Sequence, residues 1–392
     1  MRAIYKMFNF AAINSISFYL PENWLDNAEL SRCFPDWTEE KIVRKLGIER
    51  RPIAAADETA SDLGVKAAEL MFDAGICKPE DIDHLVFCTQ SPDYFLPSTA
   101  CVIHERLGLP KSAGAFDFNL GCSGYIYGLS ICKGLIETGT ANKILFITSE
   151  TYSKYINPND RSSRPLFGDG AACTLLTKIN NNEIIYRNNN SKSNSDANSE
   201  SDSESDLESK SESNLDSNSE PFIGPFVFGT DGGGAELLIV QAGGHRLPKS
   251  SETREVMPDR KGSMRSQEQL LMHGPGIFSF AIDRVPPVVE SLLTKSGKSK
   301  NDIGCYVFHQ ANKYMLQRLR ELCEIDESRY FNNILTRGNT VSSSIPIAIV
   351  DAWNAGMLRP TENIMLIGFG VGLSWGGTII KLPKNFTPVS EG

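Results

Sequence analysis

The feature that most constrains the fold of this chain is an alternation of apolar strand-like runs with helical patterns. Strand-like runs occupy 84–90, 114–120, 143–150, 171–179, 304–310 and 363–370. Helical patterns occupy 60–75, 98–107, 123–138, 276–296, 311–323 and 342–356. Several of the runs are apolar on both faces, which is typical of buried central strands. The alternation therefore predicts an α/β fold.

Two observations indicate how these elements are arranged. The helical segment 124–136, "GYIYGLSICKGLI", is apolar nearly all round, so we expect it in the interior between two layers. The two halves of the chain also echo each other, because strands ending in "VFCTQ" and "VFHQ" each precede a helix. We therefore expect two similar αβ halves placed back to back.

A polar, acidic tract separates the two halves. Residues 191–220 contain nine acidic residues and two lysines, a net charge of 2 − 9 = −7 out of −9 for the whole chain. Such a composition buries too little apolar surface to offset the entropy of ordering. We predict a disordered insert at 188–220 between an N-terminal half at 1–183 and a C-terminal half at 221–392. An interaction tail for a basic partner is the alternative interpretation.

Composition excludes several other classes. No apolar run approaches the roughly 18–20 residues that span a bilayer, and no basic patch with interleaved aromatic residues suggests nucleic acid. The nine cysteines include no CxxC pair, which argues against a disulfide framework and a structural zinc site, and favours a reducing, cytoplasmic compartment. The first residues combine positive charge with apolar residues, but Asn9 and Asn14 interrupt that run, and "ISFYLPEN" is typical of a strand that ends at a turn. We therefore interpret them as mature protein rather than a signal peptide.

The segment 116–128, "FDFNLGCSGYIYG", places Cys122 between two glycines where a strand leads into a buried helix. A helix N-terminus favours the thiolate, and Gly121 and Gly124 would permit close approach of a substrate. This is the pattern of an exposed nucleophile at a tight turn. A packed cysteine at a glycine-rich turn remains the alternative.

Two polar residues of the second half lie at comparable places. His309 follows the strand-like "CYVF" and precedes a helix, at an element end where α/β enzymes place active groups; a histidine that caps this helix is the alternative. Asn339 lies in "RGNTVSSSIP", which by itself is also a helix-cap pattern.

Taken together, "GCSG", "HQAN", "GNT" and "GFGVGLSWGG" occur in an order that resembles the ketoacyl-acyl-carrier-protein synthase III family of thiolase-fold condensing enzymes. The resemblance covers nearly the whole chain outside the insert, including "FYLPEN", "LGIERRPIA", "SPDYFLPSTAC" and "RPLFGDGAA". It implies a thiolase-like fold with αβαβα layers, a homodimer, and no cofactor beyond thioester substrates carried by coenzyme A or an acyl-carrier protein.

The resemblance also implies roles for residues. Cys122 would take an acyl group from a thioester, and a malonyl-type extender would lose carbon dioxide and attack that group. His309 and Asn339 would donate hydrogen bonds to the thioester oxygen as enolate charge develops, for which a neutral imidazole and a carboxamide are suitable. The backbone N–H groups of Cys122 and Val371 would bind the oxyanion formed during acylation, although the family usually has glycine at position 371.

The chain departs from the family where the acyl donor binds. Lys41 and Lys45 occupy positions where typical members have a tryptophan and an arginine that sandwich the adenine of coenzyme A, and lysine offers no flat stacking surface. Arg161 matches a second arginine near the nucleotide, with an ordinary loop charge as the alternative. Leu96 matches a residue that closes the acyl pocket of the partner subunit. These changes favour a larger or carrier-bound donor in a specialised pathway.

Other functions stay open at this point. Acyl transfer from Cys122 to an oxygen, nitrogen or other acceptor without decarboxylation is the main alternative, and Asn339 argues against it because plain transfer needs no second enolate donor. A papain-like hydrolase lacks support in the strand pattern and would require a "CGSCW"-type segment. A catalytically dead binding module is disfavoured because all three site residues are present.

Overall fold

The structure, a computed structural model, describes residues 9–180, 221–259 and 262–390. The predicted insert at 188–220 therefore lies outside the described residues. The strands are β1 (Asn9–Tyr19), β2 (Asn23–Asp26), β3 (Arg50–Ile53), β4 (His84–Cys88), β5 (Gly114–Phe118), β6 (Lys143–Glu150), β7 (Gly170–Asn180), β8 (Phe222–Thr230), β9 (Leu238–Val240), β10 (Met257–Pro258), β11 (Met264–Arg265), β12 (Leu270–Met272), β13 (Ile303–Phe308), β14 (Tyr330–Phe331), β15 (Asn363–Gly370), β16 (Ser374–Lys381) and β17 (Thr387–Ser390). The helices are α1 (Asn27–Cys33), α2 (Glu39–Leu46), α3 (Ala60–Asp73), α4 (Thr99–Arg106), α5 (Gly124–Glu137), α6 (Ser251–Arg254), α7 (Gly274–Ser296), α8 (Lys313–Leu322), α9 (Ile334–Arg337) and α10 (Ser344–Asn354).

Two large sheets have the same internal order. The first runs β17-β1-β7-β6-β4-β5 and the second runs β14-β13-β15-β16-β8. Each half contributes five strands to its sheet: β1, β4, β5, β6 and β7 in the first, and β8, β13, β14, β15 and β16 in the second. When these strands are numbered in chain order, both sheets have the spatial order first, fifth, fourth, second, third. The directions also match, because β4 and β13 are parallel to both neighbours while β7 and β16 are antiparallel to theirs. The expectation of two similar halves is confirmed.

Helices fill three layers around the two sheets. Helix α5 packs against β1, β4 and β6 of the first sheet and against β15 and β16 of the second, and α10 lies in the same middle layer. Helices α3 and α4 cover the outer face of the first sheet, and α7 and α8 cover the outer face of the second. The predicted αβαβα order is thus confirmed, and the apolar helix lies in the interior as its composition required.

The predicted strands and helices all form, and none of their ends shifts by more than two residues. Three strands of the second sheet were not predicted: β14 has only two residues, and the proline and glycines of β8 and β16 interrupt the apolar pattern. The last strand, β17, pairs in parallel with β1. The final residues of the predicted C-terminal segment 221–392 therefore complete the first sheet.

Candidate active site

Cys122 lies on the turn between β5 and α5, facing the end of β15. It is buried, with 4% of its surface exposed. The neighbouring Ser123 Oγ lies 2.6 Å from Ser374 Oγ, which ties the turn to β16 of the other half. A Cβ atom on Gly370 would lie 2.9 Å from the Cys122 sulfur, so only glycine lets β15 end this close to the thiol.

The glycines beside Cys122 have a different role from the predicted one. A Cβ atom on Gly121 would overlap Gln90 Oε1 and approach Val371 Cγ1 at 2.8 Å, and one on Gly124 would overlap Cys88 Sγ. The space that these glycines leave is therefore occupied by other side chains of the protein. The expectation that it serves close approach of a substrate is wrong.

His309 directly follows β13, where its backbone N–H donates to the Ile367 carbonyl at 2.8 Å. The imidazole is 2% exposed, with Nδ1 2.7 Å from Ser344 Oγ. Its Nε2 is the ring nitrogen left for a substrate. The alternative that His309 caps the next helix is wrong, because the Asn312 side chain accepts from the Met315 N–H and caps α8.

Asn339 lies between α9 and α10 in a segment held at both ends. Its N–H donates to the Leu166 carbonyl at 3.1 Å, and its carbonyl accepts from the Gly168 N–H at 2.9 Å. The carboxamide oxygen accepts from the Val341 N–H at 3.0 Å, a local turn that leads into the short 3₁₀ segment whose N-cap residue is Thr340. Its Nδ2 lies 3.5 Å from the Ala311 carbonyl, which leaves donor capacity for a substrate.

A continuous series of contacts joins these three residues. Gly370 abuts the Cys122 sulfur, and the ring of the preceding Phe369 meets the His309 ring edge to face at a centroid distance of 5.5 Å. The Asn339 amide in turn lies beside the His309–Ala311 segment. These contacts link Cys122, His309 and Asn339 at the junction of the two halves, and their catalytic roles stay a prediction.

Two backbone N–H groups reach the Cys122 sulfur. They belong to Cys122 itself and to Val371, and both act to lower the pKa of the thiol. Gly372, the residue after Val371, has φ of 139°, a conformation that favours glycine and turns the chain at this point. The two N–H groups that were predicted to bind an oxyanion therefore both lie at the Cys122 sulfur.

Burial outweighs these N–H groups in setting the charge of the nucleophile. Burial, followed by the charge of Glu150, raises the pKa of Cys122 to about 12. The expectation that the helix terminus yields a thiolate is therefore wrong for the free protein, which carries a neutral thiol. Burial also lowers the pKa of His309 to about 3, so its imidazole is neutral as expected.

Glu150, at the end of β6, is a part of this site that sequence reasoning missed. Its carboxylate is fully buried and accepts from the Gln90 N–H at 3.0 Å, from Ser91 Oγ at 3.1 Å and from Ser342 Oγ at 2.9 Å. It thereby joins the loop after β4 to the loop that carries Asn339. A signal was present, since an acidic residue ends the apolar strand "KILFITSE".

The predicted donor residues lie apart from the catalytic group. Lys45 Nζ lies 5.1 Å from the centre of the Trp37 ring, and Arg161 lies 5.6 Å from the Phe34 ring and 3.3 Å from Asp36 Oδ2. Trp37 places a flat, half-buried ring beside Lys41 and Lys45, so a stacking surface is present where the two lysines were expected to offer none. Sequence reasoning missed this tryptophan.

Leu96 lies in the loop before α4, where 87% of its surface is exposed. It does not line the cavity beside Cys122 in its own chain, whereas the neighbouring Phe95 does. Its assignment to the acyl pocket of a partner subunit stays a prediction.

Two further findings concern the described part of the chain. Across residues 9–180, 221–259 and 262–390, no three His, Cys, Asp or Glu side chains are placed to hold a metal ion. None of the helices within these ranges is long and apolar enough to cross a membrane.

Comparison with known proteins finds families, sequences and solved structures that are similar to this chain. Residues 116–194 match the family described as 3-oxoacyl-[acyl-carrier-protein (ACP)] synthase III, and residues 293–382 match its C-terminal family. A beta-ketoacyl-[acyl-carrier-protein] synthase III of Clostridioides difficile is 32% identical over 95% of this chain and 98% of its own. A crystal structure of a 3-oxoacyl-(acyl-carrier-protein) synthase III has 42% identity and a TM-score of 0.83, covering 95% of this chain and 100% of its own. A crystal structure of a 3-oxoacyl-(acyl-carrier protein) synthase from Burkholderia xenovorans has 31% identity and a TM-score of 0.80, covering 98% of this chain and 99% of its own.

Proposed function

The chain belongs to the 3-oxoacyl-[acyl-carrier-protein] synthase III family and is an acyltransferase, and we propose that Cys122 is the residue that it acylates. The acyl group then condenses with a malonyl-type thioester to give a 3-oxoacyl product. His309 and Asn339 act on the thioester oxygen of the extender. The observation that supports these roles is the series of contacts that links the three residues, through Gly370, Phe369 and Ala311, at one buried junction.

Acylation begins from two neutral groups. The thiol sulfur of Cys122 forms a bond to the carbonyl carbon of the donor, and the carbon–sulfur bond of the donor breaks. His309 Nε2 takes the thiol proton, which then passes to the departing thiolate. The N–H groups of Cys122 and Val371 stabilise the negative oxygen of the tetrahedral intermediate. Because the free thiol has a raised pKa, His309 takes part in this step as well as in the next.

Condensation uses the same cavity after the first carrier has left. Carbon dioxide leaves the malonyl thioester, and the electron pair of the broken bond forms an enolate. Hydrogen bonds from His309 and Asn339 to the enolate oxygen strengthen as its charge grows. The enolate carbon attacks the acyl carbonyl, the bond to the Cys122 sulfur breaks, and that sulfur regains a proton from solvent.

The fixed amide of Asn339 favours condensation over plain acyl transfer. Its oxygen is occupied by the Val341 N–H, so the group offers substrate a donor and no base. Transfer to an alcohol or amine needs a base to accept the proton of the acceptor, a task that His309 alone would perform. Condensation, in contrast, forms an enolate oxygen that gains negative charge, and the Asn339 amide provides a second hydrogen-bond donor for it beside His309.

The reaction needs no cofactor in this proposal, because coenzyme A or an acyl-carrier protein delivers both thioesters. Arg161, Lys45 and Trp37 form the surface that would meet the donor carrier. The cytoplasmic assignment rests on the spacing of the cysteines, which suits a reducing compartment.

A homodimer also belongs to this proposal. Strand β5 is an edge of the first sheet, and its Phe116 and Phe118 are only half-buried. The nearby loop exposes 84% of Phe95 and 87% of Leu96. A second copy would cover this apolar edge, which unpaired would favour aggregation. Light scattering should give twice the mass of one chain, and a monomer at micromolar concentration would contradict the dimer.

Intact-protein mass spectrometry tests the assignment of the nucleophile. After incubation with a panel of acyl-CoA and acyl-carrier thioesters, we expect one acyl adduct on the wild-type protein and none on Cys122→Ala. The matched control is Cys132→Ala, which removes another buried thiol from α5 and should keep the adduct. An adduct that persists on folded Cys122→Ala would contradict the assignment.

A further inference from the structure

A cavity of about 640 Å³ lies directly beside the nucleophile turn and is lined by Val371, whose N–H reaches the Cys122 sulfur. Its walls differ in chemistry. One wall is apolar and includes Leu238 and Leu270. A polar wall carries the side chains of Gln90, Asn119 and Tyr152, and the lining also includes Lys154, Lys249 and Glu268. A pocket intended only for an alkyl chain would not need this polar wall.

The three polar side chains form one hydrogen-bonded network. The Tyr152 hydroxyl donates to Gln90 Oε1 at 2.5 Å, and Gln90 Nε2 donates to Asn119 Oδ1 at 2.9 Å. The network has unused capacity: a lone pair on the Tyr152 oxygen, the second N–H of Gln90 and the amide N–H groups of Asn119. It can therefore both donate to a ligand and accept from it.

The centre of the network is fixed in place. The Gln90 N–H donates to the Glu150 carboxylate at 3.0 Å, and its carbonyl accepts from the Tyr155 hydroxyl at 2.9 Å. Tyr152 is 3% exposed, and its ring packs on Phe167 at a centroid distance of 5.3 Å. Such preorganised groups cannot turn away from an apolar ligand.

The network also lies close to the reacting sulfur. The side-chain oxygen of Gln90 occupies the space that a Cβ on Gly121 would take, one residue before Cys122. Burial, then Glu150 and then Cys122 raise the pKa of the Tyr152 phenol, which places Tyr152 in electrostatic range of the Cys122 sulfur. A polar substituent that meets this wall is therefore borne by a carbon near the thioester.

We propose that this cavity holds the acyl group of the donor and selects a short acyl chain that carries a hydroxyl group. This inference rests on the proposed function, because it assumes that Cys122 is acylated. A hydroxyl can both donate and accept, which matches the free capacity of Tyr152 and Gln90. A plain alkyl chain would displace water from these groups and leave them without partners, and a site built for a hydroxyl rejects such analogues.

The test compares four-carbon donors that differ only in the hydroxyl. The rate of adduct formation on Cys122 is measured by intact mass with butyryl-CoA and with its 2-, 3- and 4-hydroxy derivatives. We expect at least one hydroxybutyryl donor to react about tenfold faster than butyryl-CoA, the scale of one hydrogen bond. Equal or faster acylation by butyryl-CoA would overturn the proposal.

Substitutions then assign the selectivity to the network. Tyr152→Phe and Gln90→Met should each bring the ratio of hydroxybutyryl to butyryl rates close to one. Tyr127→Phe is the matched control, since its hydroxyl lies 3.4 Å from the Gly229 carbonyl outside the cavity wall, and it should keep the wild-type ratio. A wild-type ratio in both Tyr152→Phe and Gln90→Met would overturn the proposal. If one of them fails to fold, the other and the wild-type panel decide.

The same samples separate this inference from the proposed function. Acylated enzyme is mixed with a malonyl thioester, and release of carbon dioxide is followed. Hydroxyacyl selectivity without release would refute condensation and leave the inference standing. Release with butyryl as the preferred group would refute the inference and leave condensation standing.

Discussion

At the scale of single residues, the site keeps its reacting groups neutral until a substrate arrives. Burial raises the pKa of Cys122 to about 12 and lowers that of His309 to about 3. The charged pair of thiolate and imidazolium is therefore not the resting state. In the proposed mechanism the thiol proton leaves as the sulfur attacks, and a neutral resting thiol reacts less with other electrophiles, because the thiolate is the reactive form.

Glu150 predicts how stability depends on pH. Burial raises the pKa of its carboxyl to about 8 from an ordinary value near 4.5, so the folded state holds a proton that the unfolded state has lost between these values. The contribution of Glu150 to the free energy of unfolding is fully present below pH 4.5 and is lost as the pH rises to 8. His309 acts in the opposite direction, since its lowered pKa costs stability as the pH falls from 6.5 to 3.

We therefore expect the melting temperature to fall between pH 6.5 and 8.5, and Glu150→Gln to reduce that fall. The glutamine keeps the shape of the side chain and its contacts with Ser91 and Ser342 but cannot ionise. Calorimetry at half-unit pH steps provides the measurement. Glu362→Gln, a partly exposed carboxyl at the start of β15, is the control and should keep the wild-type slope. An unchanged slope in Glu150→Gln would contradict the role given to this carboxyl.

At the scale of elements, α5 directly follows the turn that holds Cys122, and it packs against β6 through one close contact. A Cβ atom on Gly128 would overlap the ring of Phe146 in β6, whereas one on Gly134 of the same helix would meet no atom within 4 Å. Gly128→Ala should cost about 1–3 kcal/mol of unfolding free energy, as overpacking of a core does. Gly134→Ala should be neutral or gain up to about 1 kcal/mol, because alanine favours helix.

Urea unfolding of both variants checks this pair, with Gly134→Ala as the matched control. Because α5 places Cys122 under the end of β15, Gly128→Ala should also slow acylation. Equal stability of the two variants would show that the helix does not sit as close to β6 as described.

Elements of this kind could be predicted where their pattern is strong. The strands of the first sheet that are apolar on both faces, and α5 with its all-round apolar surface, formed where the sequence placed them. Strand β16 escaped prediction because two adjacent glycines interrupt the apolar pattern of "SWGGTIIK", and only neighbouring elements explain these glycines. A Cβ on Gly377 would lie 2.7 Å from Ile367 and 2.8 Å from Leu292, which belong to other elements.

At the scale of the whole molecule, the site lies where equivalent strands of the two halves end. Strand β4 ends next to Gln90 and its counterpart β13 next to His309, while β6 ends in Glu150 and its counterpart β15 in Gly370. The duplicated architecture therefore directs four strand ends to one place. One half supplies the nucleophile and its acidic neighbour, and the other supplies His309 and Asn339.

Contacts between residues far apart in the chain set the limit of prediction from sequence. Motif order predicted Cys122, His309 and Asn339 as candidates, because each lies in a short and recognisable segment. The bond from Ser342 to Glu150 joins residues 192 positions apart, and the network around Gln90 joins residues 62 and 29 positions apart. No local pattern encodes these distances, so the buried carboxylate and the polar wall emerged only from the fold.

The most direct test of the central claim is release of labelled carbon dioxide from a carboxyl-labelled malonyl thioester by acylated protein. We predict release by the wild type and a loss of about 10²- to 10³-fold in Asn339→Ala, the scale of a lost oxyanion donor, while acylation of Cys122 stays near the wild-type rate. His309→Ala should lose both steps. If the wild type releases none with any malonyl thioester yet passes its acyl group to a small amine or alcohol, decarboxylative condensation is contradicted and plain acyl transfer takes its place.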